Sequence, residues 1–358
     1  MTLPKVSVIM PTFNHELFVK EAIESVLSQE GVDLELIVAD DGSSDSTRDR
    51  VAEVRDERIR FFPNEVNRGA CVVTNELIER ASGEYIALIN SDDAWMPGKL
   101  EFQLDILETN KELAASFGRA EYMDRDGKLV PKESLQFGGV FDVENRSSGQ
   151  WLRRFFAEGN CLCHPTMLIR RDVYSSVGKY SNRLRQLPDF DMWIRVVKNY
   201  EIHVADKELI KFRMLPGENV SGHNRVNSVR TLNEHFLIAD DFFEGVSRES
   251  MIDGFSDILV FKDVPTKEHL DIEKVLLFFH ENMWLWRPYK MIGLLKMRAL
   301  LDSDSHRDVL QSSYGVSDRW FHDQMGRVDA IAPAVIPLDS FSHHANSMLR
   351  ALKRRFSN

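Results

Sequence analysis

The first hundred residues alternate short apolar runs with amphipathic stretches, and few architectures accept that alternation. Val6 to Met10 reads as a buried strand stopped by Pro11, and Glu16 to Ser28 carries Phe18, Ala22 and Val26 on one helical face. Leu34 to Ala39 is a second strand. It is followed by the turn Asp40-Asp41-Gly42-Ser43-Ser44-Asp45-Ser46-Thr47, whose later residues suit a helix cap. Arg58 to Phe62 is a third strand, Asn67-Arg68-Gly69-Ala70 opens a helix to about Ala81, and Tyr85 to Ile89 is a fourth strand. Pro97 suits the first position of the next helix. Strands alternating with helices imply an α/β fold, with a mostly parallel sheet covered on both faces.

The pattern then changes. The stretch EYMDRDGKLV predicts a hairpin turning at Asp126-Gly127, with helices near Trp151 to Phe156 and Asp191 to Asn199. From about Val226 helical spacing dominates and glycine is sparse. The expected organisation is a front unit over 1–225, with halves at about 1–120 and 121–225. A mainly α-helical C-terminal region over 226–358 follows it. There is no internal repeat or low-complexity tract.

A net charge of -11 argues against nucleic acid as a partner, since that binding needs a basic field. The 3 cysteines, Cys71, Cys161 and Cys163, provide neither a disulfide framework nor zinc-finger spacing. No leader or membrane-length apolar stretch is evident, so the expected location is cytoplasmic.

Ligands of open parallel sheets bind beyond the carboxyl ends of the strands. Four polar clusters fall there: PTFNHE, DDGSSD, NRGA and NSDDAW. Turns and caps explain part of each. They do not explain Asp40, which directly ends an apolar strand, nor Asp92 beside Asp93, since one carboxylate suffices for a cap. Two adjacent carboxylates at a sheet edge suit a hard divalent cation that completes its shell with phosphate oxygens. There is no GxGxxG after the first strand and no GxxxxGK[ST] anywhere, which excludes the usual dinucleotide and P-loop sites.

The order VSVIMPTFNHE, ELIVADDGSSDST, NRGACVVTNELIERASGEYIALINSDDAWMPGKLE and LPDFDMWIRV, over roughly residues 4 to 222, resembles the family-two glycosyltransferases of GT-A fold. The resemblance implies transfer of a sugar from a nucleotide-diphosphate donor, with inversion at the anomeric carbon. Pro11, Thr12, Phe13 and Asn14 would line the base and ribose pocket, Asp40 and its neighbour Asp41 would sit at the base, and Asn67, Arg68 and Gly69 near the nucleotide. Asp92 would match the second carboxylate of the Asp-x-Asp metal motif, with Asp93 beside it, for Mn2+ or Mg2+. Asn90 stands where the motif's first Asp belongs, leaving Asn90 and Ser91 on the donor side.

The resemblance also implies a carboxylate base. Asp189 matches its position, Pro188 replaces the usual Glu, and Asp191 is the rival. Arg213 is a candidate for the diphosphate, with Met214 and Leu215 where a His often follows, and His164 for donor or acceptor. A UDP-sugar is the default donor, and a glycan or lipid-linked hydroxyl of a surface polysaccharide or glycolipid the implied acceptor. The Q-x-x-R-W signature of processive synthases is absent. Two alternatives accompany this reading. One is a nucleotide- or glycan-binding scaffold that has lost catalysis. The other is a sugar-1-phosphate nucleotidyltransferase, which would need a glycine-rich, arginine-bearing loop where PTFNHE stands.

At the far end, ENMWLWRPYKMIGLLKMRALL reads as a packing helix, with Pro288 at its start, or as an interfacial one. The tail over 345–358 places Met348, Leu352 and Phe356 four residues apart among Arg350, Lys353, Arg354 and Arg355. That pattern suits either a solvated terminus or contact with anionic headgroups on the inner face of a membrane.

Overall fold

The computed structural model describes residues 4–135, 137–215, 224–280 and 286–328. Its strands are β1 (Val6–Thr12), β2 (Leu34–Asp40), β3 (Ile59–Pro63), β4 (Tyr85–Leu88), β5 (Ala94–Trp95), β6 (Leu113–Met123), β7 (Leu129–Val130), β8 (Leu168–Arg170) and β9 (Glu201–Arg213). They form one 9-stranded sheet in the order β3-β2-β1-β4-β8-β6-β9-β5, with β7 paired to β6. The pairs β1–β2, β1–β4 and β2–β3 are parallel, as the strand–helix alternation predicts. Beyond β4 the sheet is mixed: β8 runs antiparallel to β4 and β6, β9 parallel to β6, and β5 antiparallel to β9. Register shifts interrupt the β6–β9 ladder near Gly118. A Cβ there would sit 2.8 Å from the Lys207 carbonyl oxygen, so only glycine lets the two strands approach at this bulge.

The helices are α1 (Val19–Leu27), α2 (Thr47–Glu53), α3 (Ala70–Arg80), α4 (Lys99–Thr109), α5 (Ser148–Glu158), α6 (Val173–Val177) and α7 (Pro188–Val197). They continue as α8 (Arg225–Asp240), α9 (Arg248–Phe255), α10 (Lys267–Leu276), α11 (Trp286–Leu301), α12 (Asp304–Tyr314) and α13 (Asp318–Met325). Two starts differ from expectation. Pro97 precedes α4, which opens after the left-handed Gly98. α7 begins at Pro188, because a proline at the first helical position loses no intrahelical hydrogen bond. The Asp126-Gly127 turn joins β6 to β7, with Gly127 at φ 80.

One apolar cluster lies on one face of the sheet. It runs from Ile9, Ile37 and Ile86 through Trp151, Phe156 and Trp193 to Ile238, Phe255, Phe278 and Ile292. Phe156 of α5 is its hub. Its ring lies 5.1 Å from Phe242, 4.7 Å from Phe243, 5.4 Å from Phe278 and 4.6 Å from Tyr289, the last stacked. The core therefore crosses position 225. Val8, Met10, Ala22, Val26, Leu100 and Leu104 fill the opposite face. In α11, Tyr289, Ile292, Leu294 and Met297 are buried, which is a packing arrangement. Among the described residues no helix is long and apolar enough to cross a membrane. The tail over 345–358 and the segment 281–285 lie outside the described residues.

Candidate active site

The loops after β1, β2, β3 and β4 meet at the carboxyl edge of the parallel strands. The loops after β1 and β2 are laced together by polar side chains. Asn14, in the left-handed region at φ 53, accepts from the Ser44 backbone N–H at 2.9 Å, while its own N–H donates to Ser43 Oγ at 2.8 Å. Ser46 N–H donates to Glu16 at 2.9 Å, and His15 N–H to Thr47 Oγ1 at 2.8 Å. The third loop is stapled to the second by Asp41, whose carboxylate accepts the Arg68 and Gly69 N–H groups at 2.7 and 2.9 Å. At Gly42, with φ +75, a Cβ would stand 2.6 Å from the Asn67 nitrogen, so glycine is required for this approach. Asp41 thus fixes the third loop against the second.

Asp40 ends β2 in register with Thr12 of β1 and Pro63 of β3. Its side chain is fully buried and accepts from the Ser43 N–H at 3.0 Å, from Ser43 Oγ, and from Arg48 Nε at 2.7 Å. Phe13, beside Thr12, is exposed at the rim.

The acidic turn after β4 divides its two carboxylates. Asp93 faces inward: one oxygen accepts Asn90 Nδ2 at 3.0 Å and the other the Arg213 backbone N–H at 2.8 Å. Burial pushes its carboxyl well above the ordinary range, and the Asp92 charge adds to the rise. Asp92 accepts no side-chain hydrogen bond among the described residues, and burial raises it while His15 and Arg213 oppose the rise. Ser91 Oγ shares a 2.8 Å hydrogen bond with His15 Nδ1, joining this turn to the first loop. Among the described residues no three His, Cys, Asp or Glu side chains form a ready metal site. The donor set still suits a hard cation carried by a diphosphate, because such ions need only one or two protein carboxylates.

Arg213 is a brace. Its side chain is 2% exposed and stacks over Phe18 at 4.8 Å. Nε donates to the Asp92 carbonyl at 2.8 Å, Nη1 to the Asp124 and Arg125 carbonyls at 3.1 and 3.0 Å, and Nη2 to Glu21. The guanidinium holds the acidic turn against α1 and the β6–β7 hairpin, a geometry for support rather than for a phosphate.

The first turn of α7 separates Asp189 from Asp191. Asp191 accepts Arg195 Nε and Nη2 at 3.1 and 2.8 Å, and Arg195 also clasps the Val177 and Lys179 carbonyls. Among the described residues Asp189 instead accepts one side-chain donor, Asn160 Nδ2 at 2.8 Å, and burial lifts its carboxyl to about 6. The buried Cys163 thiol is pushed up by burial, with the Asp93 and Asp189 charges adding to the rise. His164 lies between them in sequence space but faces inward. Its Nε2 shares a 2.8 Å hydrogen bond with Tyr180, its ring meets Trp193 edge-on at 5.5 Å, and burial lowers it to about 4. A neutral structural imidazole results.

Residues 7–178 match the family described as Glycosyl transferase family 2. The chain is 30% identical over 244 residues to the UDP-Glc:alpha-D-GlcNAc-diphosphoundecaprenol beta-1,3-glucosyltransferase WfgD of Escherichia coli, covering 67% of this chain and 87% of that protein. The chain belongs to glycosyl transferase family 2. A second relative, the uncharacterized glycosyltransferase MJ1057 of Methanocaldococcus jannaschii, is 28% identical over 254 residues, 69% of this chain and 84% of its own. Two solved structures share the fold. S. aureus TarS 1-349, in complex with UDP-GlcNAc, gives a TM-score of 0.51 at 18% identity over 90% of this chain and 91% of its own. The mannosyltransferase PcManGT of Pyrobaculum calidifontis, in complex with GDP-Man and Mn2+, gives 0.51 at 15% identity over 91% of this chain and 85% of its own. The GT-A-like architecture expected from the sequence is therefore present, with a helical C-terminal region.

Several residues that shape this glycosyltransferase's site were not legible beforehand. Asn160 orients Asp189. Glu234, on α8, accepts the Arg185, Gln186 and Leu187 N–H groups at 2.9, 2.8 and 2.9 Å and so sets the approach to α7. His15 was readable within PTFNHE, but its partner Ser91 is 76 positions away.

Proposed function

We propose that this glycosyltransferase moves a sugar from a nucleotide-diphosphate donor, a UDP-sugar first, to a hydroxyl of a glycan or lipid-linked acceptor, with inversion. Asp189 is the base. The observation that carries the reading is its environment at the start of α7: a largely desolvated carboxyl lifted to about 6 and bonded by the Asn160 amide and the Phe190 backbone N–H. A base with a pKa near the working pH combines a large ionised fraction with a useful driving force for proton transfer.

In the step, the acceptor O–H gives its proton to Asp189 as the oxygen bonds to the anomeric carbon. The bond from that carbon to the diphosphate oxygen breaks, and the diphosphate leaves with the electron pair. Attack from the face opposite the leaving group inverts the centre in one displacement. Asp92 would hold a divalent cation together with the diphosphate oxygens, and that ion would supply neutralisation of the leaving charge. Asp41 and Arg213 keep the two loops in place by the bonds described above.

The names of relatives support this donor and acceptor class: WfgD is named for UDP-Glc and a diphosphoundecaprenol acceptor. TarS was solved with UDP-GlcNAc. Surface polysaccharide or glycolipid synthesis is the corresponding role. The basic tail over 345–358 would then meet the inner face of the membrane where a lipid carrier is presented.

The test is turnover of UDP- and GDP-sugars with Mg2+ or Mn2+, using donor hydrolysis as readout, for the parent chain and Asp189→Asn. The variant is expected to lose about 10²–10⁴-fold in turnover with nucleotide affinity retained. Nucleotide binding without turnover of any donor by the parent chain would instead favour a non-catalytic scaffold.

A further inference from the structure

The start of α7, which carries Asp189, lacks a capping side chain. Its N-cap is Leu187, which has no side-chain oxygen, and Pro188 at the first position has no N–H. The support comes from α8. Glu234 is 4% exposed, and its carboxylate accepts three successive N–H groups, from Arg185 at 2.9 Å, Gln186 at 2.8 Å and Leu187 at 2.9 Å. Successive N–H groups converging on one anion form a nest, filled here by a side chain 47 positions from Leu187. One residue on, the His235 ring meets Phe190 edge-on at 5.5 Å, and Phe190 meets Phe155 edge-on at 5.6 Å. After the last turn of α7, Lys198 Nζ donates to the Asp241 carbonyl at 3.0 Å. α8 and the residue that follows it therefore hold α7 at both ends. Asp189 stands between the two front contacts, Leu187 and Phe190. Asp189 and Glu234 both lie beyond the family match over 7–178.

We propose that Glu234 is a positioning residue for the sugar transfer: from α8 it fixes the backbone that presents Asp189 to the acceptor hydroxyl. This rests on the reading of Asp189 as the base. The Asp189 carboxylate is itself bonded by Asn160 and the Phe190 N–H, so Glu234 acts on it through the backbone and through its charge. Burial comes first in raising Asp189, and the Glu234 charge adds to the rise. Cys71 on α3, Cys163 and Tyr180 also feel Asp189 and are kept neutral by burial, while Asp191 on α7 is paired with Arg195. Loss of the Glu234 carboxylate releases three N–H groups just before the base. A misplacement of a reacting group by about 1 Å costs about 10²-fold in rate.

The experiment compares the parent, Glu234→Gln, Glu234→Asp and Asp189→Asn as full chains. Each is assayed for hydrolysis of the UDP- or GDP-sugar that the parent turns over best, with Mn2+. Glu234→Gln keeps the size, loses the charge and sets an NH2 group against backbone donors. It should lower kcat by about 10–10²-fold and leave the donor KM within about twofold. Because a negative neighbour is lost, the acid limb of its kcat/KM profile should move below the parent's midpoint near 6. Glu234→Asp keeps the charge on a shorter arm, so it should lower kcat with the midpoint near the parent's. Melting curves check that each variant is folded. Hydrogen exchange on the parent, which depends on no variant, should find the amides of Arg185, Gln186 and Leu187 protected, and fast exchange there would overturn the proposal. Parental kcat in the folded Gln and Asp variants, with Asp189→Asn inactive, would overturn it and leave the base reading standing. A fall in kcat with an unmoved midpoint in Glu234→Gln would assign Glu234 to the fold alone and overturn it too. Parental turnover by Asp189→Asn would remove the base reading, and this proposal with it.

Discussion

Asp189→Asn should make the protein more stable while removing its activity. In the folded chain the carboxyl sits at about 6, against 3.8 for an ordinary aspartate, because burial disfavours its charge. The folded state therefore holds the proton more tightly than the unfolded chain does. The sign follows. Below about pH 3.8 both states are protonated and the site contributes no penalty. As pH rises through the folded value the penalty grows, and above it the penalty is complete. The gap of roughly two units corresponds to about 3 kcal/mol at 1.36 kcal/mol per unit. Asparagine carries no charge, so the variant escapes this cost but accepts the Asn160 hydrogen bond less strongly. The stability of the variant relative to the parent should therefore rise by about 2–3 kcal/mol between pH 4 and pH 8. Urea unfolding of both proteins across that range, read by fluorescence, measures it. In parallel, the acid limb of the parent's kcat/KM profile should have its midpoint near 6. An Asn variant no more stable at pH 8 than at pH 4 would show that Asp189 is not held against its charge, and the argument for it as a tuned base would fall.

Two other sites yield sharp expectations. Arg213→Met should cost about 1–3 kcal/mol in urea unfolding, because it leaves the Asp92, Asp124 and Arg125 carbonyls without their donor, while half-exposed Glu21 is rehydrated. Arg213→Lys should recover only part, since one ammonium cannot span that fork, and a loss below about 1 kcal/mol would refute the bracing role. Lys99 is fully buried, donates to Gln103 at 2.8 Å, lies over Trp95 at 4.1 Å, and is lowered by burial to about 7. Its unfolded chain binds the proton more tightly, so stability falls as pH drops from 10.5 to about 7. Lys99→Met should therefore be more stable than the parent by about 2 kcal/mol at pH 6, with the advantage gone near pH 10 in thermal or urea unfolding.

What could be read in advance follows from burial. β1, β2 and β4 lie between two layers of helices, so both faces are apolar and each strand is a visible run. β9 and the part of β6 before Glu121 escaped notice for opposite reasons. LAASFGRAEYM is built largely of small residues without clean alternation, and EIHVADKELIKFR carries charges at its bulged, partly exposed positions. In the site, the strand-end clusters were visible but their division of labour was not. Asp191 and Arg195 stand four apart on one helix, a pairing open to sequence reasoning that would have set Asp191 aside. Arg213 and Glu21 are 192 positions apart, and no local pattern announces such a link.

The ring cluster around Phe156 has a consequence for how the molecule comes apart. Phe242, Phe243, Phe278 and Tyr289 all belong to the helical end of the chain, yet they surround a side chain of the front half. Cutting the chain after β9 would strip that aromatic cover and leave α5 with a bare apolar face against water. The sugar-handling half and the helices behind it must therefore melt as a single cooperative body, and a catalytic fragment trimmed at residue 225 would be an aggregating one.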